Sequence, residues 1–138
     1  MSQSKLSLPV LIDARGQILT TLRVAIGKST ADVYFKIDTG CNVVLLSHSS
    51  LEELGIQTSA DALRKLPPVS ATIGDGSMAD FRIVGDVNLF SGKTHICAVK
   101  AICHTTQKTR NLLGTSVLHK FSRYIVQVRG TTYLELIN

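Results

Sequence analysis

Residues 35–47 read FKIDTGCNVVLLS, an apolar strand that runs into an acid, a threonine and a glycine. Alternation of apolar and polar residues predicts a half-buried strand that ends at Asp38. The turn after it places the Asp38 carboxylate at the mouth of a tight bend with apolar walls, and Gly40 permits backbone geometry that a side chain would block. A second apolar run follows at residues 43–46. A D-T-G triplet alone is more often a plain turn at the end of a strand, so a chemical role needs support from the rest of the chain.

The sequence on either side of this segment is rich in short strands and turns. Residues 47–55 predict a short helix that begins near Ser47 and ends at Gly55, and residues 115–121 predict a second one. Further strands are expected at residues 17–26, 69–73, 78–84, 87–90, 95–103, 123–128 and 132–137. Eight to ten short strands with turns every 8 to 12 residues indicate an all-β sandwich or closed barrel.

Composition limits the classes of protein that fit. The chain has 138 residues, of which 44% are apolar and 18% charged, so a single globular domain over residues 1–138 is expected. The apolar run at residues 6–12 is far shorter than the roughly 20 residues of a membrane-spanning helix. Residues 1–5 do not resemble a secretory signal, so a cytoplasmic location is expected. The net charge is +5, but the basic residues are scattered and Trp is absent, which argues against nucleic-acid binding.

The three cysteines predict neither a disulfide framework nor a metal site. Cys97 and Cys103 lie six residues apart in an apolar strand, so both are expected on one buried face, where cysteine behaves as a small hydrophobe. Together with His95 and His104 they match no tetrahedral ligand spacing.

The order of the motifs carries a resemblance. A strand, Asp38-Thr39-Gly40, a strand and a helix are followed about 35 residues later by a glycine-rich hairpin, and then by Leu112-Leu113-Gly114 before a short helix. This order, from about residue 21 to 136, resembles the retropepsin-like aspartic proteases, and bacterial members more than viral ones. The resemblance implies an all-β, acid-protease closed barrel with a flap hairpin and one or two short helices.

The resemblance also implies a role for each motif residue. Asp38 would be the catalytic carboxylate, Thr39 would form hydrogen bonds across subunits, and Gly40 would allow two active-site loops to approach closely. Leu113 and Gly114 would support the Asp38 loop. The flap tip that covers the substrate would consist of Gly74, Asp75, Gly76 and Ser77.

The chemistry of peptide hydrolysis explains why such a chain is expected to form a homodimer. One carboxylate takes a proton from water while a protonated neighbour polarises the carbonyl, and two carboxyl groups about 3 Å apart share one proton. Only Asp38 lies in the motif, so the second carboxyl group must come from another copy across a two-fold axis. Residues 6–12 and 133–137 are apolar enough for a dimer sheet or for ordinary core packing. No metal or organic cofactor is required.

Cys41 departs from the family pattern, which more often has Ala, Ser or Thr after the glycine. The thiol is either a small filler or a group whose oxidation blocks the carboxyl pair. A cysteine nucleophile paired with His48 or His119 is disfavoured, because no histidine and acid are adjacent to Cys41. The sequence therefore predicts an aspartic endopeptidase that acts on extended peptides. The alternative is a catalytically silent dimerisation or peptide-binding module, which the intact Asp38-Thr39-Gly40 disfavours.

Overall fold

The computed structural model describes residues 5–71, 80–106 and 110–137. The strands are β1 (Lys5–Pro9), β2 (Leu11–Ile12), β3 (Ile18–Ile26), β4 (Ser29–Ile37), β5 (Val44–Leu45), β6 (Pro68–Val69), β7 (Phe81–Ser91), β8 (Thr94–His104), β9 (Leu112–Leu113), β10 (Ser122–Val128) and β11 (Thr131–Ile137). The helices are α1 (His48–Glu53), α2 (Ala60–Arg64) and α3 (Thr115–Leu118). Within the described ranges no helix has the length and apolar character to cross a membrane.

Most strands belong to one sheet that closes on itself. Its strand order is β2-β3-β4-β9-β5-β8-β7-β6, and β3 also pairs with β7. Strands β3, β4, β9, β5, β8 and β7 therefore form a closed ring, which confirms the predicted all-β barrel. The register between β7 and β8 shifts between Ile83 and Gly85, and a bulge of this kind bends a long hairpin so that it can follow the barrel.

The strand alternation seen in the sequence is the alternation between barrel interior and solvent. In β4, Val33 and Phe35 are buried at 1% and 0% exposure, whereas Asp32 and Tyr34 are exposed. Apolar side chains from β3, β7 and α1 fill the same core. These buried side chains fix β4 in the barrel. Asp38, which directly follows β4, therefore has a defined position.

The chain ends form a second sheet with the order β1-β11-β10. Leu8 pairs with Leu134 in register, and both join the main core together with Leu136. Core packing, one of the two roles expected of the terminal strands, is thus confirmed for these leucines. A role in a dimer sheet stays a prediction.

The described residues contain three helices, whereas one or two were expected. The helix that was not expected is α2. The Ser59 side chain caps α2 by accepting a hydrogen bond from the Ala62 amide, and Leu63 packs into the core at 0% exposure. A five-residue helix is too short to show a 3.6-residue period, so the sequence pattern did not reveal it.

The predicted flap hairpin is described only at its base. Val69 pairs with Phe81 and Pro68 with Arg82 in an antiparallel ladder, as expected for the two arms of a hairpin. The expected tip, Gly74, Asp75, Gly76 and Ser77, lies outside the described residues.

Truncating the buried side chain that precedes the Asp38 loop should destabilise the barrel. We expect Phe35→Ala to lower the free energy of unfolding by about 3–5 kcal/mol, because it removes a fully buried ring from β4. The adjacent Tyr34→Ala is the matched control. Tyr34 is 52% exposed, so its truncation should lower the free energy of unfolding by about 1 kcal/mol or less. Urea unfolding measures both, and equal losses would contradict the assigned faces of β4.

Candidate active site

The position of Asp38 is set by strand β9. Strands β4 and β9 are parallel, with Ile37 opposite Leu113. Directly after β4, the Asp38 amide donates a hydrogen bond of 3.0 Å to the Leu113 carbonyl. The contact between Leu113 and the start of the loop is thus a backbone hydrogen bond, and the Leu113 side chain itself is buried at 1% exposure.

The loop after Asp38 is closed by its own hydrogen bonds. The Gly40 amide donates to Asp38 Oδ1 at 2.9 Å, and the Cys41 amide donates to the Asp38 carbonyl at 3.2 Å. Asp38 is half-buried, while Thr39 and Gly40 are exposed. One carboxylate oxygen is therefore oriented by a main-chain amide, on a loop whose next two residues face solvent.

Gly114 fills a space in which no side chain fits. A Cβ atom at this position would lie 2.4 Å from the carbonyl oxygens of both Cys41 and Val43. The Thr115 amide also donates to the Cys41 carbonyl at 2.9 Å. The backbone that leads into α3 is therefore pressed against the Asp38 loop, and the glycine is required by close approach.

Asn111 is a positioning residue that the sequence analysis missed. Its carbonyl accepts from the Lys36 amide at 3.0 Å, and its Oδ1 accepts from the Ser47 amide at 2.7 Å. One residue thus links the end of β4 to the start of α1. Its place immediately before Leu112-Leu113-Gly114 was the available signal, but a lone Asn between strands is typical of any turn.

The environment of Cys41 favours the filler interpretation. The side chain has 0% exposure, and its Sγ donates to the Val43 carbonyl at 3.4 Å. Burial raises the pKa of the Cys41 thiol, and the nearby Asp38 charge adds to this. Because the thiolate is the reactive form, this cysteine is poorly suited to be a nucleophile or a redox sensor.

Neither histidine considered as a partner for Cys41 forms a hydrogen bond with it in the described part of the chain. His48 is buried at the start of α1 with its Nε2 2.7 Å from the His104 carbonyl. His119 is exposed at the end of α3. The structure therefore gives the cysteine-nucleophile alternative no support.

The other two cysteines only partly match their prediction. All three cysteines are free. Cys103 is buried, and burial raises the pKa of its thiol to about 11. Cys97 is half-buried rather than buried, because the outer part of β8 extends beyond the core. Burial also raises the pKa of the Cys97 thiol.

The base of the predicted flap is locked by Arg82. Its Nη1 donates to the carbonyls of Arg64 and Leu66 at 2.7 and 3.0 Å, and its Nε forms an ion pair of 3.0 Å with Asp80. The hydrogen bond from Arg82 lowers the pKa of the Asp80 carboxyl. The Asp80 carbonyl in turn accepts a hydrogen bond from the Thr105 amide at 3.0 Å. Hydrogen bonds therefore hold Leu66 in one arm of the hairpin and Asp80 in the other.

An apolar hollow lies beside Thr39. This hollow, the Thr39 pocket, has a volume of about 230 Å³ and is lined by Ile18, Ile37, Thr39, Leu118, Arg123, Ile125 and Leu134. Ile125 is 51% exposed although it is large and apolar. Sequence analysis had assigned Ile125 only to a strand, because nothing in the pattern placed that strand next to the D-T-G loop.

Comparison with solved structures identifies the fold. A structure described as a retropepsin-like aspartic protease from Rickettsia conorii superposes with a TM-score of 0.68 and 16% sequence identity. The match covers 99% of this chain and 95% of that chain. No protein-family model and no curated protein sequence matches. The chain therefore has the retropepsin-like fold that its motifs predicted.

Adding one methyl group at Gly114 should displace the Asp38 loop. We expect Gly114→Ala to lower the free energy of unfolding by about 1–3 kcal/mol and to shift the amide NMR signals of Gly40 and Cys41, because the methyl meets two backbone carbonyls. Ser116→Ala is the control. The Ser116 hydroxyl is buried without a hydrogen-bond partner in the described chain, so its loss should leave stability unchanged or slightly raised. Unshifted loop amides in Gly114→Ala would refute the close approach.

Proposed function

We propose that this chain is an aspartic endopeptidase that hydrolyses peptide bonds as a homodimer, with Asp38 as the catalytic residue of each subunit. The observation that carries the proposal is the placement of Asp38. Its carboxylate is oriented by the Gly40 amide on a loop clamped by β9, within a retropepsin-like fold. A chance D-T-G turn would not need the glycine at position 114 that packs beneath it.

The reaction needs two carboxyl groups in one site. One acts as the base that takes a proton from the attacking water, and the other, protonated, donates a hydrogen bond to the scissile carbonyl. Asp38 is half-buried on a loop whose tip faces solvent, so a second copy has access to it. Each subunit would supply one of the two groups, and no metal or organic cofactor enters the reaction.

The Thr39 pocket supports a dimer axis next to Asp38. A two-fold axis near Asp38 would bring this pocket and the exposed Ile125 against their own symmetry copies. Burial of exposed apolar surface is the usual driving force for such association. Close approach of two Gly40 residues and hydrogen bonds between Thr39 residues belong to the same proposal.

Substrate would bind in extended form beneath the hairpin whose base is β6 and β7. An extended peptide is held by main-chain hydrogen bonds, and its side chains enter separate pockets. In this proposal the hairpin tip at residues 74–77 is the flap that covers the substrate. The proposal also includes a cytoplasmic location.

Removing the Asp38 charge should abolish cleavage. We expect Asp38→Asn to reduce the rate on denatured casein at least about 10³-fold, because the amide can neither accept the proton of water nor share one. Asp32→Asn is the matched control. Asp32 is exposed on β4, the strand that precedes Asp38, and forms an ion pair with Arg23, so this variant should keep its activity. A pepstatin-like inhibitor should block both active proteins.

Cleavage by Asp38→Asn at the wild-type rate would remove Asp38 from the mechanism. Absence of cleavage by every protein, with dimers present, would favour the catalytically silent peptide-binding module instead.

Introducing a charge beside the Thr39 pocket should break the dimer. We expect Ile125→Glu to sediment as a monomer and to lose cleavage activity, because two buried carboxylates would face each other near the axis. Val128→Glu is the control. Val128 is 53% exposed on the same strand, three residues further on and therefore on the opposite face. Dimers that survive Ile125→Glu but not Val128→Glu would place the interface elsewhere.

A further inference from the structure

A large groove begins close to Asp38 but does not include it. The groove has a volume of about 700 Å³ and lies between the turn at residues 13–17, the outer face of β4, the start of α1 and Arg110. Lys36, in its wall, precedes Asp38 by two residues, which is about 7 Å along an extended chain. A peptide bound at Asp38 could therefore extend into this groove. We refer to it as the basic groove.

Positive charge predominates in the basic groove. Arg15, Lys36 and Arg110 line it, and among the described lining residues the one carboxylate is that of Asp13. Asp13 Oδ1 already accepts hydrogen bonds of 2.9 Å from the amides of Arg15 and Gln17.

In the part of the chain that the structure describes, no cation of the groove forms an ion pair with an acid. The ion pairs found within residues 5–71, 80–106 and 110–137 join Lys5 to Glu135, Arg23 to Asp32 and Arg82 to Asp80. None of these pairs involves a cation of the groove. The groove is therefore a positively charged depression, which favours an anionic ligand.

The floor of the groove is apolar and continues beyond the cations. Leu19 and Tyr34 line both the basic groove and a neighbouring depression of about 490 Å³ that reaches Leu11 on β2. Leu11 and Lys36 both pair in register with Leu19, so the three side chains lie on one face of the sheet. Leu11 and Tyr34 are 60% and 52% exposed. The surface thus offers a continuous apolar strip with cations at one end.

We propose that the basic groove is a specificity site that binds an acidic segment of the substrate beside the scissile bond. This inference rests on the proposed protease function. Carboxylates of the segment pair with Lys36, Arg110 and Arg15, while its aliphatic or aromatic side chains cover Leu19 and Tyr34. The apolar floor suits a peptide that carries apolar side chains between its acids, and the scattered cations elsewhere on the chain offer no track for a longer polyanion.

Binding can be measured without cleavage. Fluorescence anisotropy of the Asp38→Asn protein would be recorded with a short labelled peptide in which glutamate and leucine alternate. The comparison peptide has glutamine in place of glutamate. We expect the acidic peptide to bind at least about tenfold more tightly, with the difference shrinking as salt rises from about 0.1 to 1 M, where the screening length falls to about 3 Å. Equal affinities, or a difference that salt does not change, would overturn the inference.

Charge reversal in the groove should remove this preference. In the Asp38→Asn background, Lys36→Glu combined with Arg110→Glu should lower the affinity for the acidic peptide at least about tenfold and leave that of the glutamine peptide nearly unchanged. Lys28→Glu, in the exposed turn between β3 and β4, is the control that changes charge away from the groove. An equal loss in the control would show a general charge effect and overturn the site. Tighter binding of a single-stranded oligonucleotide than of the peptide would overturn the choice of ligand.

Cleavage separates this inference from the function on which it rests. With Asp38 intact, the ratio of kcat/KM for an acidic peptide to that for its glutamine counterpart should fall in the Lys36→Glu, Arg110→Glu double variant, while Lys28→Glu keeps the wild-type ratio. Cleavage with an unchanged ratio would overturn the specificity site alone. Absence of all cleavage would overturn the protease function, and the binding measurement would still decide whether the groove takes acidic peptides.

Discussion

The site depends on strand β9, two residues long, which lies between β4 and β5. Leu113 pairs with Ile37 on one side and Val44 on the other, and its carbonyl accepts from the Asp38 amide. This insertion closes the barrel and fixes both ends of the Asp38 loop at once. It is possible because Gly114 carries no side chain where the chain passes beneath Cys41 and Val43. The residues that hold the fold together are thus the residues that position the carboxylate.

A carboxylate held in this way has only half of the chemistry that peptide hydrolysis requires. The Gly40 amide orients the Asp38 carboxylate, but the complementary acid must come from elsewhere. In the proposed enzyme, two surfaces near Asp38 would have separate tasks. The Thr39 pocket offers an apolar surface to a second copy, and the basic groove, beginning at Lys36, leads away along the outer face of β4. In the proposed enzyme, assembly of the dimer and recognition of the substrate would therefore use different surfaces around one loop.

Sequence reasoning succeeded where local pattern and topology agree. Alternation in β4 identified the strand before Asp38, Ser47 and Gly55 bounded α1, and motif order predicted the barrel. It missed α2, because five residues show no helical period, and it missed Asn111, whose two partners are distant in sequence. Ile125 and the basic groove were invisible for the same reason. Ile125 and Thr39 line one pocket, and Arg15 and Arg110 line one groove, only once the barrel is closed.

The central claim is that two Asp38 residues, one from each subunit, make a single active site. Wild-type and Asp38→Asn chains, refolded together in equal amounts, give wild-type dimers in about one quarter of cases if subunits pair at random. If both carboxyl groups are required, the cleavage rate per total protein should be about one quarter of that of the pure wild type, and it should follow the square of the wild-type fraction across mixtures. A rate that follows the wild-type fraction linearly, at about one half in the equal mixture, would show that each subunit acts alone and would contradict the account.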